Sequence, residues 1–160
     1  MKTKAFILGL FFTCVFQVNA QSVFDKLANE KDVTTVRITK AILQALPDFE
    51  GTANINGMEI SALKDKLDLL EVFSTEKPEI IQMMRDGIKE YKNNPSLLEE
   101  IMTVKEDDTE IRFFAGKENR NDKTYRSLIM FVDDGGEGVL MRLLGKFEMS
   151  DLSGIIQSTM

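Results

Sequence analysis

At 160 residues, with 20 basic against 26 acidic side chains and a net charge of −6, the chain has the size of one domain and lacks the positive charge that binding nucleic-acid phosphates requires. It holds no histidine, no tryptophan and one cysteine, Cys14. Without histidine there is no Ser-His-Asp or Cys-His nucleophile arrangement and no zinc site of the usual nitrogen and sulfur kind, which leaves carboxylate chemistry, a lysine-activated serine or oxygen-only cation binding.

Lys2 and Lys4 form a positive start, Ala5 to Phe16 an apolar run, and Val18, Asn19 and Ala20 a small-residue stretch before Gln21. That order predicts a secretory signal peptide over residues 1–20 and one exported domain over 21–160, in the periplasm or secreted. The apolar run is about a dozen residues, short of the roughly 20 that cross a bilayer, and no later stretch is long or apolar enough, so no membrane span is expected. Cys14 follows Phe12 and Thr13 instead of the Gly or Ala of a lipobox, and is read as discarded with the leader. The mature chain is then free of cysteine and still more acidic, with neither disulfide nor thiol chemistry.

Ser22 and Asp25 suit a capping box opening a short helix that ends near Asn29 to Asp32. Val33 to Thr39 reads as a half-buried strand, with Thr34, Val36 and Ile38 on one face and Thr35 and Arg37 on the other. Ala41, Ile42, Ala45 and Leu46 continue as a helix of about two turns that stops before Pro47. Residues 47–59 are expected to be loop, and Ile60 to Leu67 a short helix. Leu67 to Phe73 predicts a second strand, and Pro78 starts a longer helix whose stripe is Ile80, Met84, Ile88 and Tyr91.

Four short runs follow, Ile101 to Lys105, Glu110 to Ala115, Ser127 to Val132 and Val139 to Leu144, separated by turn chemistry at 106–109, 117–123 and 133–136. Ser150 and Asp151 suit the cap of a last helix carrying Leu152, Ile155 and Ile156. The fold class predicted is α+β, a single mixed or mostly antiparallel sheet of about six strands with helices packed on it. The last two strands are apolar on both faces. Either the chain's own helices cover both sides, or one face is a partner surface or homodimer interface, for which Phe114, Leu128, Met130 and Leu140 are the candidates.

Three polar clusters are candidate sites. Residues 48–59 have the length of an EF-hand loop, with Asp48, Glu50 and Glu59 as weak cation candidates, but Ala53 stands where the sharp turn needs glycine. A plain surface loop is the competing reading. Glu106, Asp107, Asp108 and Glu110 crowd one turn, and Asp133, Asp134 and Glu137 another; catalysis there needs a cleft that separates two carboxyl pKa values, whereas turn acids are ordinarily just solvated. Met83, Met84, Met102, Met130 and Met141 sit at apolar positions and read as core filling, not copper ligands.

Phe24 to Leu27, Val33 to Lys40, Leu67 to Thr75, Ile129 to Asp133, Leu144 to Phe147 and Met149 to Leu152 together resemble the small exported Bacteroidota proteins grouped as domain of unknown function 4252. The resemblance implies an envelope location and transfers no catalytic residue. That family includes lipoproteins, from which the missing lipobox departs. The expectation is a non-enzymatic binding module without a cofactor, whose partner is another envelope protein or a second copy. A carboxylate-based glycan hydrolase and a divalent-cation-binding protein are the alternatives.

Overall fold

Ser22 is the first residue that the computed structural model describes, together with 23–45, 54–55, 58–59, 61–93, 98–119 and 121–153; the expected leader, Cys14 included, lies outside them. Its hydroxyl caps α1 (Val23–Ala28), accepting from the Asp25 N–H at 3.3 Å and donating to Asp25 Oδ2 at 2.8 Å. The cap is therefore the one expected, with the acid taking the hydroxyl proton. β1 (Thr34–Thr39) and α2 (Lys40–Ala45) follow in the expected order, but β1 is not half-buried: of its six residues Ile38 alone is partly covered, because the strand lies at the edge of the sheet.

The expected loop over 47–59 is corrected in its second half, where β2 (Asn54–Ile55) and β3 (Met58–Glu59) pair antiparallel with Asn54 opposite Glu59 and Ile55 opposite Met58. By sequence Asn56 and Gly57 stand between them, the dipeptide that most favours a two-residue hairpin. A 3-10 helix (Ser61–Lys66), β4 (Leu67–Thr75) and α3 (Pro78–Asn93) come next, then β5 (Leu98–Glu106), β6 (Thr109–Gly116), β7 (Tyr125–Asp133) and β8 (Gly138–Phe147). Residues 149–153 are helical, entered from Glu148 and not from Ser150. The Asp151 carboxylate accepts the Glu148 N–H at 2.8 Å, and the Glu148 carbonyl accepts the N–H groups of Asp151 and Leu152. Ile155 and Ile156 lie outside the described residues.

Six strands form one antiparallel sheet in the order β1-β4-β8-β7-β6-β5. β5 to β8 are a meander, and β4 adds to its open side with β1 outside it. Because pairing alternates in direction, β5 runs parallel to β4 from the opposite edge, so the link between them must recross the sheet. α3 makes that crossing on one face, while α2 and the 3-10 helix occupy the link from β1 to β4 on the other.

Both faces of the sheet are consequently packed. On one, Val23, Phe24 and Leu27 of α1 and Ile80, Met84 and Ile88 of α3 meet Phe73, Phe114, Ile129, Phe131 and Leu140. On the other, Leu43, Leu63 and Leu152 lie on Leu70, Phe113, Leu128, Met130, Met141, Leu143 and Phe147. Each fully buried large side chain contributes about 1.5–3 kcal/mol relative to exposure. Met84, Met130 and Met141 fill this core as expected.

Gly145 shows how tightly the second face closes. A Cβ there would stand 2.1 Å from the Lys66 carbonyl oxygen and 2.9 Å from the Phe147 ring, at the point where the β4–β8 register shifts. Gly145→Ala should therefore destabilise by about 2–3 kcal/mol and lower Tm by roughly 5–10 °C. Gly136→Ala, where the nearest atom is Asp134 Oδ1 at 3.7 Å, should leave Tm unchanged in the same thermal melt.

Candidate functional site

One charged group lies at the centre of the sheet. Glu71 of β4 is fully buried, on the face covered by α1 and α3, and its register neighbours are Arg37 of β1 and Arg142 of β8. Arg37 Nε donates to Glu71 Oε1 at 2.8 Å, and Arg142 Nε donates to Oε2 at 2.7 Å, with Arg142 Nη2 on the same oxygen. The Arg142 guanidinium carbon also stands 4.2 Å from the centroid of the Phe24 ring, which itself tilts against Phe73 at 6.0 Å. Opposite charge on both oxygens, plus a cation–π contact, is what makes an ionised carboxylate tolerable in an apolar layer.

The ladder ends at the sheet edge. β1 has β4 as its one partner among the described residues, and all its side chains except half-buried Ile38 are exposed. Val36 is 45% exposed, and Ile42 on the adjoining α2 is 53% exposed. Arg37 lies over the face toward Glu71, so the single charge on β1 is engaged within the chain. The opposite edge differs, because β5 carries Glu99, Glu100, Lys105 and Glu106 and a register shift between Glu100 and Met102. Charges and bulges are the usual guards of an edge strand. β5 has both, whereas β1 has no bulge and one charge, Arg37, that is engaged by Glu71.

The four residues expected to form a partner surface are not on a surface. Phe114 and Leu140 pack under α1 and α3, and Leu128 and Met130 pack on the other face, each at most 5% exposed. The chain's own helices cover both apolar faces, which corrects that reading. Of the cation candidates, Asp48 and Glu50 lie outside the described residues, and Glu59 sits in the second strand of the β2–β3 hairpin.

The two acidic turns are brought together at one end of the sheet, where a Cβ on Gly135 would lie 3.9 Å from that of Asp108. Three of their carboxylates, those of Glu110, Asp133 and Asp134, have structural partners. Glu110 receives Arg112 Nε at 2.7 Å, and Asp133 receives Arg85 Nε at 2.6 Å and the Gly135 N–H at 3.2 Å. Asp134 Oδ1 accepts the N–H groups of Glu137 at 2.6 Å and Gly136 at 2.9 Å, closing the turn in which Gly135 takes a φ of 83°. Those two amides hold the Asp134 carboxyl below its ordinary range. At the other end, the Lys66 ammonium and then the Glu148 N–H do the same for Asp151.

Asp68, beside Lys40, and Glu110 are also lowered; burial pushes Glu110 up, but Arg112 and Lys105 together outweigh it. Every described carboxyl displaced from its usual value is thus displaced downward, opposite to what a general acid needs. Sequence reasoning missed Glu71 and both its arginines, since nothing local marks them.

Among the described residues no helix is long and apolar enough to cross a membrane. A family profile described as Domain of unknown function (DUF4252) matches residues 24–155. No curated protein and no solved structure matches the chain.

Glu71→Ala leaves Arg142, which is 21% exposed, beside an empty site and should cost about 3–5 kcal/mol in urea unfolding. Arg37→Ala, at a side chain 57% exposed, should cost about 1 kcal/mol or less. Asp134 and Asp151 have lower pKa values folded than unfolded, so the stability they confer is complete above the unfolded carboxylate range and is lost as pH falls through the folded values. Unfolding free energy should be level from neutrality to about pH 4.5 and decline below about pH 4. Asp151→Asn should make that decline shallower in acid titrations followed by circular dichroism.

Proposed function

The chain belongs to the DUF4252 family, and we propose that it is an exported, non-enzymatic interaction module, periplasmic or secreted, that binds a protein partner along the β1 edge of its sheet. The observation that carries this reading is the pairing of an unguarded edge strand with exposed apolar side chains. Val36 and Ile42, two of the three large apolar residues exposed among those described, both lie on the β1–α2 segment. An open strand offers a partner a row of backbone donors and acceptors for affinity, and alternate side chains for selectivity.

Electrostatics supports the same edge. From Val33 to Ala45 the chain carries Arg37 and Lys40 and no acid, in a protein whose net charge is −6. A segment free of acids repels another acidic protein less than the acid-bearing turns do. The export half of the reading rests on the basic, apolar and small-residue order of residues 1–20.

Two measurements test the proposal. Mass spectrometry of the chain recovered from its own cell envelope should give Gln21 as the first residue; recovery of the uncut chain from the cytoplasm overturns the address. Crosslinking and affinity capture should yield a stoichiometric protein with the wild type. Val36→Lys, with an unchanged Tm, should reduce its recovery about tenfold, the effect of losing roughly 1.4 kcal/mol. Undiminished capture by Val36→Lys removes the β1 edge from the binding reaction.

A further inference from the structure

We infer that β1 is a releasable strand, which leaves β4 and returns while the rest of the domain stays folded, so that β4 is a second, conditional edge of the sheet. This holds with or without a partner on the edge.

The chain is anchored on both sides of β1 and not within it. Before the strand, Val23, Phe24 and Leu27 of α1 are buried in the layer they share with α3. After it, Leu43 of α2 is buried with Leu63 on the opposite face. From Ala28 to Ile42 no side chain is buried, and Val33 and Ile38 alone are half-buried. β4, β7 and β8, by contrast, are buried at most of their positions. Local opening is cheapest where few apolar contacts must be broken, so the span between the two anchors opens well before the domain does.

The remaining ties are weak ones. Besides its ladder to β4, the segment is held by the Arg37–Glu71 bridge, by Lys40 on Asp68 at 2.9 Å, and by the Thr75 hydroxyl donating to the Asp32 carbonyl at 2.7 Å. Arg37 and Lys40 are both more than half exposed, where an ion pair adds little. The turn residues around 29–32 supply slack for the strand to lift.

Glu71 permits the release. A buried carboxylate stripped of its partners would forbid it, but here the two oxygens are served separately. Arg37 takes Oε1, while Arg142 takes Oε2 through Nε at 2.7 Å and through Nη2. When β1 leaves, Arg142 stays in place on β8 against the Phe24 ring. Oε1 then faces the opened edge, where water replaces the departed guanidinium. No charge is orphaned by the motion.

Native-state hydrogen exchange on the full chain, followed residue by residue, tests this. After correction for intrinsic rates, the β1 amides bonded to β4 should exchange about 100-fold faster than the β4 amides bonded to β8. Their rates should be flat in low urea that accelerates exchange in β7 and β8. A crosslink supplies the second measurement. Thr34 and Ser74 are opposed in register, and such residues have Cα atoms about 4.5–5.5 Å apart, inside the roughly 4.4–6.8 Å range of a disulfide. In a chain carrying Cys14→Ser, Thr34→Cys and Ser74→Cys, oxidation should slow β1 exchange about tenfold or more, and reduction should restore it. Exchange of β1 at the rate and urea dependence of β8 overturns the inference, because β1 then opens only with the whole domain. Fast β1 exchange that persists unchanged in the oxidised chain overturns it as well.

Discussion

A sheet that is apolar on both faces needs cover on both, and most of this architecture follows from that need. β7 and β8 present large apolar side chains alternately up and down: Ile129 and Phe131 lie under α1 and α3, while Leu128 and Met130 face Leu43, Leu63 and Leu152. A plain meander would leave one of these layers in water. The chain avoids this by placing its two long links on opposite faces. α3 returns from the level of Thr75 to that of Leu69, about 20 Å of strand at ~3.3 Å per residue. Its sixteen residues supply about 24 Å at ~1.5 Å each. The crossing also spans four strand spacings, about 19 Å at ~4.8 Å each, so α3 covers most of a diagonal of about 28 Å.

The cost of this arrangement falls at the margin. Helices cover the middle of the sheet, and β1 lies where their cover thins, with most of its side chains in solvent. Backbone bonds to β4 alone would hold it weakly. Glu71 supplies a second tie, because its carboxylate joins Arg37 on one side to Arg142 on the other and so links three adjacent strands in one row. A buried ionic group of this kind contributes less to net stability than to fixing the register, since any slip of β1 would leave the carboxylate one partner short.

The elements were legible in the sequence because they are encoded locally. Ser22 and Asp25 mark a cap, Pro78 opens α3, and the turn residues around Gly135 separate β7 from β8. Strand lengths were underestimated because alternation fades at polar ends such as Leu98 to Glu100. The β2–β3 hairpin was missed although Asn56 and Gly57 announce it, since two-residue strands carry no periodicity. What touches what across the sheet was not legible. Phe114 and Leu140 share one face while Leu128 and Met130 share the other only because of a pairing register that no stretch of sequence contains. The Glu71 ladder joins residues 34 and 71 positions apart, and each looks alone like an ordinary surface charge.

The asymmetry between the two edges bears on how the protein stays finite in number. If β1 of one copy paired with β5 of the next, the association would be heterologous and nothing in a sheet would close it, the geometry of a growing fibre. The acids and the bulge on β5 oppose that route. The two edges of the described sheet therefore differ in kind: β5 carries acids and a register shift, while β1 pairs with β4 without one and its single charge is turned to Glu71.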